Sequence, residues 1–457
     1  MNRDGGLWER IRDSLDEIAE RSPARLALLV FAIVIAIVTA LLSLPIATAS
    51  GERAPFVDAL FTATSAVCVT GLVTVETATY WSAFGQAVII AGIAVGGLGV
   101  MTLSSILALT VSRHIGLTQR MLTAGETKTE RLGEVGSLVR AVVVASLVIV
   151  GVLTAVLFPR FLTLGESVPT SLWHAFFMAE SIFNNAGFVI MPEGLEPHIG
   201  DWWMNLPIFF GTFLGAVGFP VLLNVARHLR TPRRWTLHTK LTLATYATLA
   251  VGAGIAIPFF EWHNPRTFGS LALHEKILQG IVSSVNVRSS GLSALPIGDM
   301  REATWFLQDA LMFVGGGSAS TAGGVKVTTL AVLVLAIIAE ARGDRDVEAF
   351  RRRIPYQTVR LAVAVAFLGA TLVGTSALLL LHFTNFSLDR ILFEVISAFA
   401  TCGLSTGITP YLPTEARYIL VALMYAGRTG TITVAAALAV RSSKRVIRMP
   451  EERPSIG

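Results

Sequence analysis

Long and short apolar stretches alternate along the whole chain. Eight of them, at residues 26–46, 86–111, 138–158, 203–228, 237–260, 303–340, 358–383 and 415–440, are long enough to cross a bilayer as helices, which takes roughly 20 apolar residues. Residues 26–51 hold no charged side chain. Ala47-Thr48-Ala49 has the composition of a leader cleavage site, but the apolar run before it exceeds a leader core, so this stretch is read as a span. Between the two members of each successive pair lies a shorter segment, such as residues 169–183 or 388–400, that ends near a glycine. Its length predicts a re-entrant half-helix that descends partway and returns as extended chain.

Aligned on Gly71, Gly187, Gly291 and Gly403, the short segments read FTATSAVCVTGL (61–72), FMAESIFNNAGF (177–188), IVSSVNVRSSGL (281–292) and FEVISAFATCGL (393–404). A bulky apolar residue stands ten positions before each glycine (Phe61, Phe177, Ile281, Phe393), and Ser65, Ser181, Val285 and Ser397 stand six before it. The glycines lie 116, 104 and 112 positions apart, so four units of one design, at residues 26–112, 133–230, 235–342 and 355–441, occupy almost the whole chain. Each unit reads as outer helix, half-helix, glycine loop, inner helix. The predicted fold is an all-α polytopic membrane protein, with eight transmembrane helices and four re-entrant pore loops in a pseudo-fourfold arrangement.

Non-helical backbone cannot face lipid, because each unpaired N–H or C=O costs several kcal/mol there. Four such loops meeting around one axis shield one another, and that axis is a pore. Half-helices aimed at the midplane present their partially negative C-terminal ends, which favours a cation. Glycine permits the φ > 0 turn that directs carbonyl oxygens inward, and rings of carbonyls that replace a hydration shell make potassium filters. The expected filter comprises Val69, Thr70 and Gly71; Asn185, Ala186 and Gly187; Ser289, Ser290 and Gly291; and Thr401, Cys402 and Gly403. Backbone oxygens are expected to dominate it, with Asn184 as a further small polar neighbour. Gly96, Gly97 and Gly99 are read as ordinary helix-packing glycines.

Composition agrees with a membrane protein: 53% of residues are hydrophobic and 15% charged, against about a quarter charged in soluble domains. The net charge of +5 is no signature of nucleic acid, because the basic residues collect at residues 3–25, 113–140, 227–240, 342–360 and 441–453, between the apolar units. The positive-inside rule places all five clusters, and both termini, in the cytoplasm of a cell whose plasma (inner) membrane the chain crosses. Cys68 and Cys402, the only cysteines, lie within apolar loops and form no disulfide framework. There is no Ser/His/Asp, Cys/His or paired-carboxylate pattern, so the sequence offers an enzyme no foothold. His174 has no neighbour at metal-ligand spacing and is read as an interfacial hydrogen-bonding group.

The joint pattern, with GGGSASTAGGVKVTT at 315–329 and GRTGTIT at 427–433 added, resembles the TrkH/KtrB/HKT superfamily of potassium-translocating subunits over roughly residues 25–440. The first span leads directly into the first loop, as in KtrB more than TrkH. The resemblance implies potassium uptake, with potassium as the substrate and sodium as a candidate activator or coupled ion. It also implies a homodimer, and a cytosolic ring of nucleotide-binding RCK subunits of the KtrA/TrkA kind as partner. The basic segments at 227–234 and 342–353 are candidate docking surfaces for that ring, or topology signals meeting anionic lipid.

Within the resemblance, residues 315–326 are an intramembrane loop beneath the filter that acts as a gate, formed by Gly315, Gly316, Gly317, Ser318, Ser320, Thr321, Gly323, Gly324 and Lys326. So many glycines cannot sustain a helix in lipid. A phosphate-binding loop is excluded, because Lys326 follows Val325 within a membrane segment. Lys326 either opposes a cation near its path or snorkels to the interface. Arg428, deep in the last span, must have a partner: carbonyls of the 315–324 loop or the facing helix, or else Glu394. Arg288 is expected to point behind the third loop toward Glu180 or Glu394.

Residues 1–25 form an N-terminal cytosolic segment in which Leu7, Ile11, Leu15 and Ile18 give residues 7–24 an amphipathic helical pattern suited to a membrane surface or a partner. Residues 442–457 form a cytosolic tail. The competing reading is a conventional secondary cation or solute transporter, which would carry inverted repeats and two broken helices. Here every basic cluster falls on one side, so the four units share one orientation.

Overall fold

The computed structural model describes residues 23–120 and 129–440. The tail at 442–457 and the amphipathic segment expected over 7–24, except its last two positions, lie outside the described residues. The elements are α1 (Pro23–Leu42), α2 (Phe56–Val67), α3 (Thr77–Tyr80), α4 (Ala83–Arg120), α5 (Thr129–Thr163), α6 (Val168–Asn184), α7 (Trp202–Val217), α8 (Phe219–Arg227), α9 (Leu237–Glu261), α10 (Leu273–Asn286), α11 (Glu302–Val314), α12 (Val327–Arg342), β1 (Val347–Ala349), β2 (Arg352–Ile354), α13 (Tyr356–Phe383), α14 (Leu388–Ala400) and α15 (Thr414–Val440). They form four units of outer helix (α1, α5, α9, α13), half-helix (α2, α6, α10, α14) and inner helix (α4, α7–α8, α11–α12, α15). The chain is thus an all-α polytopic membrane protein of four repeats.

Among the described residues, four helices are individually long and apolar enough to cross a membrane: Ala83–Thr102 within α4, Val139–Thr163 within α5, α9 and α13. The pair α7–α8 meets the same requirement as one span bent by 97°. The half-helices have 12, 17, 14 and 13 residues, or about 18–26 Å at a rise of 1.5 Å per residue, against a hydrocarbon core of about 30 Å. None of them can span it. Local sequence starts them where they start: Ser167 Oγ accepts from Thr170 N ahead of Pro169, and Glu275 Oε2 accepts from Ala272 N at 2.8 Å.

The layering is apolar outside and mixed inside, as lipid demands. Leu147 and Val152 of α5, Ile255 and Phe259 of α9, and Phe367 and Leu378 of α13 are exposed. Ser65, Asn185, Arg288, Glu394 and Arg428 are buried. Each half-helix is wedged between the outer helix of its own unit and the inner helix of the preceding one. Thus α4 packs on α6, α7 on α10, α11 on α14, and α15 on α2, which closes a circle.

Two features depart from the sequence reading. The span expected as one helix over 203–228 is broken, because Gly218 adopts φ +98° and Pro220 follows at the start of α8. The basic connection 342–360 carries a hairpin, β1 paired antiparallel to β2, whose turn residues Phe350 and Arg351 have φ +49° and +63°.

The circle closes where the last unit meets the first. Arg417 Nη1 donates to Asp58 Oδ1 at 2.7 Å, Thr74 Oγ1 donates to the same oxygen at 2.7 Å, and Arg417 also donates to the carbonyls of Pro410 and Leu412. Both ionic side chains are largely buried. Asp58→Ala is expected to destabilise the protein by about 1–3 kcal/mol, because two donors, one of them charged, lose their acceptor. Thermal unfolding in detergent measures this; an unchanged midpoint would mean that apolar packing alone closes the circle.

Candidate ion pathway

The four glycines meet at the centre of the circle. Each has positive φ: +92° at Gly71, +74° at Gly187, +64° at Gly291 and +92° at Gly403. Each also lies against the next repeat. A Cβ on Gly71 would fall 2.5 Å from Ala186 O, one on Gly187 2.8 Å from Ser290 O, and one on Gly291 2.6 Å from Cys402 O. One on Gly403 would overlap Thr70 O. In every case the contact is the carbonyl of the residue just before the neighbouring glycine. Only glycine satisfies both the backbone angle and the contact.

The residues six positions before the glycines explain how the loops hold their shape. Ser65 Oγ accepts from Gly71 N at 3.0 Å, and Ser397 Oγ accepts from Gly403 N at 3.1 Å. Ser181 Oγ donates to Phe188 O at 2.8 Å. In the third repeat Val285 has no hydroxyl, and the neighbouring Asn286 Nδ2 donates to Leu292 O instead. In repeats one, two and four the backbone also turns through a left-handed residue two before the glycine, at Val69, Asn185 and Thr401. There the N–H just before the glycine reaches the carbonyl of the serine five positions back, as Thr70 to Ser65, Ala186 to Ser181 and Cys402 to Ser397. The third loop lacks that left-handed residue, and its Ser290 N bonds Asn286 O.

Arg288 supports this deviating loop, but not as expected from sequence. Its guanidinium lies 3.4 Å from the centre of the Tyr246 ring, and Nη1 donates to Tyr246 O at 3.1 Å. Neither Glu180 nor Glu394 receives it. The aromatic ring gives the buried guanidinium a polarisable face and the carbonyl accepts from Nη1, without a second buried charge, while Nε and Nη2 have no hydrogen-bond partner among the described residues. Glu180 is bonded by Asn184 Nδ2. Glu394 Oε1 and Oε2 accept from Ser405, the Thr406 N–H and Thr409. That makes Glu394 the anchor of the chain leaving the fourth loop. His174 pairs with Glu166 at 2.9 Å near the end of the half-helix remote from the ring.

Residues 315–326 separate α11 from α12 and lie directly against the ring. Thr321 Oγ1 and the Asn185 side-chain amide are 2.6 Å apart. Gly323 sits against Thr401 Oγ1 and Ala400 O, and Gly324 against Ala400 Cα. The loop's other flank follows the break in the second repeat. Gly317 N donates to Ala216 O at 2.8 Å, Thr321 N to Gly215 O at 3.2 Å, and Phe219 N to Ala319 O at 3.2 Å. Gly218 is the glycine that lets Ser318 O approach. The two breaks in the inner helices therefore bond each other's backbone. Ser320 Oγ closes the loop on Gly317 O at 2.6 Å, Ser318 pairs with Thr328, and Val327 N returns to Gly316 O.

Both basic residues fasten this loop. Lys326 Nζ turns back to Ala322 O at 2.6 Å and Gly323 O at 3.3 Å. Arg428 Nη1 donates to Thr321 O, and its Nη2 reaches Gly96 O at 3.4 Å. Of the partners the sequence left open for Arg428, the structure has the loop carbonyl and a facing helix, and Glu394 is occupied elsewhere. The loop thus touches repeats two and four directly, and repeat one through Arg428.

Gly96, read from sequence as a packing glycine, does pack closely, and two equivalents of it, Gly215 and Gly427, escaped sequence reasoning. Gly96, Gly215 and Gly427 each press on the carbonyl of the residue four before the ring glycine of their own repeat: Val67, Phe183 and Phe399. A side chain on any of them would push the inner helix off the half-helix. Their signal was a glycine at 25, 28 and 24 positions after the ring glycine, hidden among other helix glycines.

Comparisons with known proteins identify the family of the chain. The family described as TrkH, cation transport protein, matches residues 21–447. The chain is 36% identical to Ktr system potassium uptake protein B of Bacillus subtilis, over 96% of this chain and 98% of that one. It is 32% identical to potassium/sodium uptake protein NtpJ of Enterococcus hirae, over 95% of this chain and 97% of that one. In fold it is similar to the crystal structure of the potassium transporter TrkH from Vibrio parahaemolyticus, with a TM-score of 0.69 and 16% identity, covering 89% of this chain and 84% of that one. With a circle of four repeats, a ring of four glycines and a family match over nearly its full length, the chain belongs to the TrkH family of cation transport proteins.

Proposed function

We propose that this protein is the ion-translocating subunit of a Ktr-type potassium uptake system in the plasma membrane, with both termini in the cytoplasm. The observation that carries the proposal is the closed ring of Gly71, Gly187, Gly291 and Gly403, each seated on the carbonyl before the next. Its relatives named for potassium uptake, one of them for potassium and sodium, support the choice of ion. Potassium passes the ring by exchanging water for backbone oxygens of residues 69–71, 185–187, 289–291 and 401–403. Each loop contributes a single glycine, so the site offers fewer carbonyl layers than a long filter. Selectivity over sodium then depends on the ring holding its diameter. The serine bonds and the glycine contacts set that diameter.

The 315–326 loop is the gate. Lys326 and Arg428 hold it by its own carbonyls, and opening requires those donors to exchange Ala322, Gly323 and Thr321 oxygens for water or other acceptors. Two subunits assemble as a homodimer on a cytosolic ring of nucleotide-binding RCK subunits, which supplies the force that moves the loop. The bend at Gly218 supports a mechanical link, because α8 leads from the loop's backbone partners to the basic connection on the cytosolic side.

Two measurements on proteoliposomes test the reading. Gly291→Ser would place its side chain against Cys402 O and strain a φ of +64°, which costs on the order of 1–3 kcal/mol. Rubidium uptake is therefore expected to fall by about tenfold or more, with reduced preference for potassium over sodium; unchanged flux and preference would refute the ring as filter. Arg428→Gln, which weakens the bond to Thr321 O, is expected to raise basal uptake several-fold without the cytosolic partner. Flux equal to the parent would make the loop structural rather than a gate.

A further inference from the structure

A groove of about 980 Å³ runs along the outside of the third repeat, between α9 and α10, with Phe209 of α7 at its back. Its α9 wall is the stripe 250, 251, 254, 255, 258 and 259, continued by Trp262 just past the helix end, and its α10 wall is 276, 277, 280, 281 and 284. Twelve positions of helix measure about 18 Å, close to the depth of one leaflet of a hydrocarbon core of about 30 Å. The floor is narrow because small residues bring the helices together: a Cβ on Gly254 would lie 3.3 Å from Ser284 Cβ, and one on Gly280 2.9 Å from Pro258 Cγ. The walls are apolar and open outward, with Ile255 67% and Phe259 74% exposed.

One end of the groove differs in chemistry. Trp262 and His263 sit there with Lys276, whose ammonium lies 4.5 Å over the Trp262 ring. Lys276 forms no ion pair among the described residues, and no acidic side chain lines the groove. This end is where α9 leads into the start of α10, at the opposite end of α9 from the basic connection at 227–240. A tryptophan beside a lysine that meets the Trp262 carbonyl at 3.5 Å and no acid among the described residues, at one end of an apolar slot about 18 Å long, matches a lipid with an anionic headgroup.

We propose that this groove is a binding site for an anionic phospholipid, with one acyl chain between α9 and α10 and the phosphate on Lys276. A second copy of the chain fits less well. A twofold contact sets the same patch against itself, which would bring Lys276 toward Lys276 across two grooves whose linings hold no acid. The bound chain props the half-helix of the one repeat whose glycine loop lacks the left-handed turn of the others.

The test uses the full-length protein in phosphatidylcholine vesicles that contain increasing fractions of phosphatidylglycerol brominated on its acyl chains. The Trp262 signal is taken as the difference between parent and Trp262→Phe. Phosphatidylglycerol is expected to quench it at a lower fraction than brominated phosphatidylcholine does. In Lys276→Gln that preference is expected to fall by about fivefold, the effect of one basic residue near an anionic surface. Ile255→Trp, which fills the slot from its exposed wall, is expected to reduce acyl-chain quenching of Trp262 while leaving Lys276 in place. Equal quenching by both lipids in the parent, or a preference that survives both variants, would overturn the site. A change of oligomeric state in Ile255→Trp by light scattering would overturn it in favour of a contact between copies.

Discussion

The structure depends on one constraint: extended backbone placed in the middle of a membrane must find its partners within the protein. Four half-helices end inside the molecule, and each leaves several N–H and C=O groups without helical partners. The solution is circular. Serine hydroxyls or an asparagine amide tie each loop to its own half-helix, and each glycine seats on the carbonyl preceding the next glycine. No repeat completes this alone. The outer helices, with their exposed apolar faces, hold the ring in lipid, and the inner helices transmit its position from one repeat to the next.

The repeats share a design without being equal, and the differences fall on one side. The first and fourth inner helices run unbroken through the level of their packing glycines, Gly96 and Gly427. The second and third break there, at Gly218 and over 315–326, and the freed backbone of one break bonds the other. Broken helices in lipid are tolerable only when neighbours satisfy what the break releases. The paired breaks therefore stand or fall together, and the third repeat, with its different half-helix ending and its Arg288–Tyr246 stack, is the unit in which the ring is least symmetric.

Much of this was legible in the chain because the bilayer enforces it. The order of outer helix, half-helix and inner helix and the quartet of glycines follow from length and backbone rules that hold at each position separately. What escaped required knowing neighbours. Gly218 before Phe219 and Pro220 reads equally well as a packing glycine in a long helix, and only the approach of Ser318 O distinguishes a break. Arg288 was matched to carboxylates because charge is what sequence displays, whereas its partners are a ring and a carbonyl 42 positions upstream. Gly215 and Gly427 share with Gly96 a contact, not a motif.

The buried acids and the two loop-bound cations are held by different kinds of partner. Glu394 is surrounded by hydroxyl and N–H donors from the chain just beyond the fourth loop, and Glu261 likewise by Asn264, Thr267, Thr304 and the Arg301 N–H. Lys326 and Arg428 meet carbonyls instead. Had either cation been paired with a buried acid, separating them would cost about 3–5 kcal/mol and would leave an uncompensated charge. A carbonyl is neutral, and water or another carbonyl replaces it at a far smaller difference in free energy. In the gating proposed above, cations held by exchangeable acceptors keep the loop in place at rest and release it for a modest input of work. Glu394 and Glu261, each bonded by several donors, are fixed by comparison.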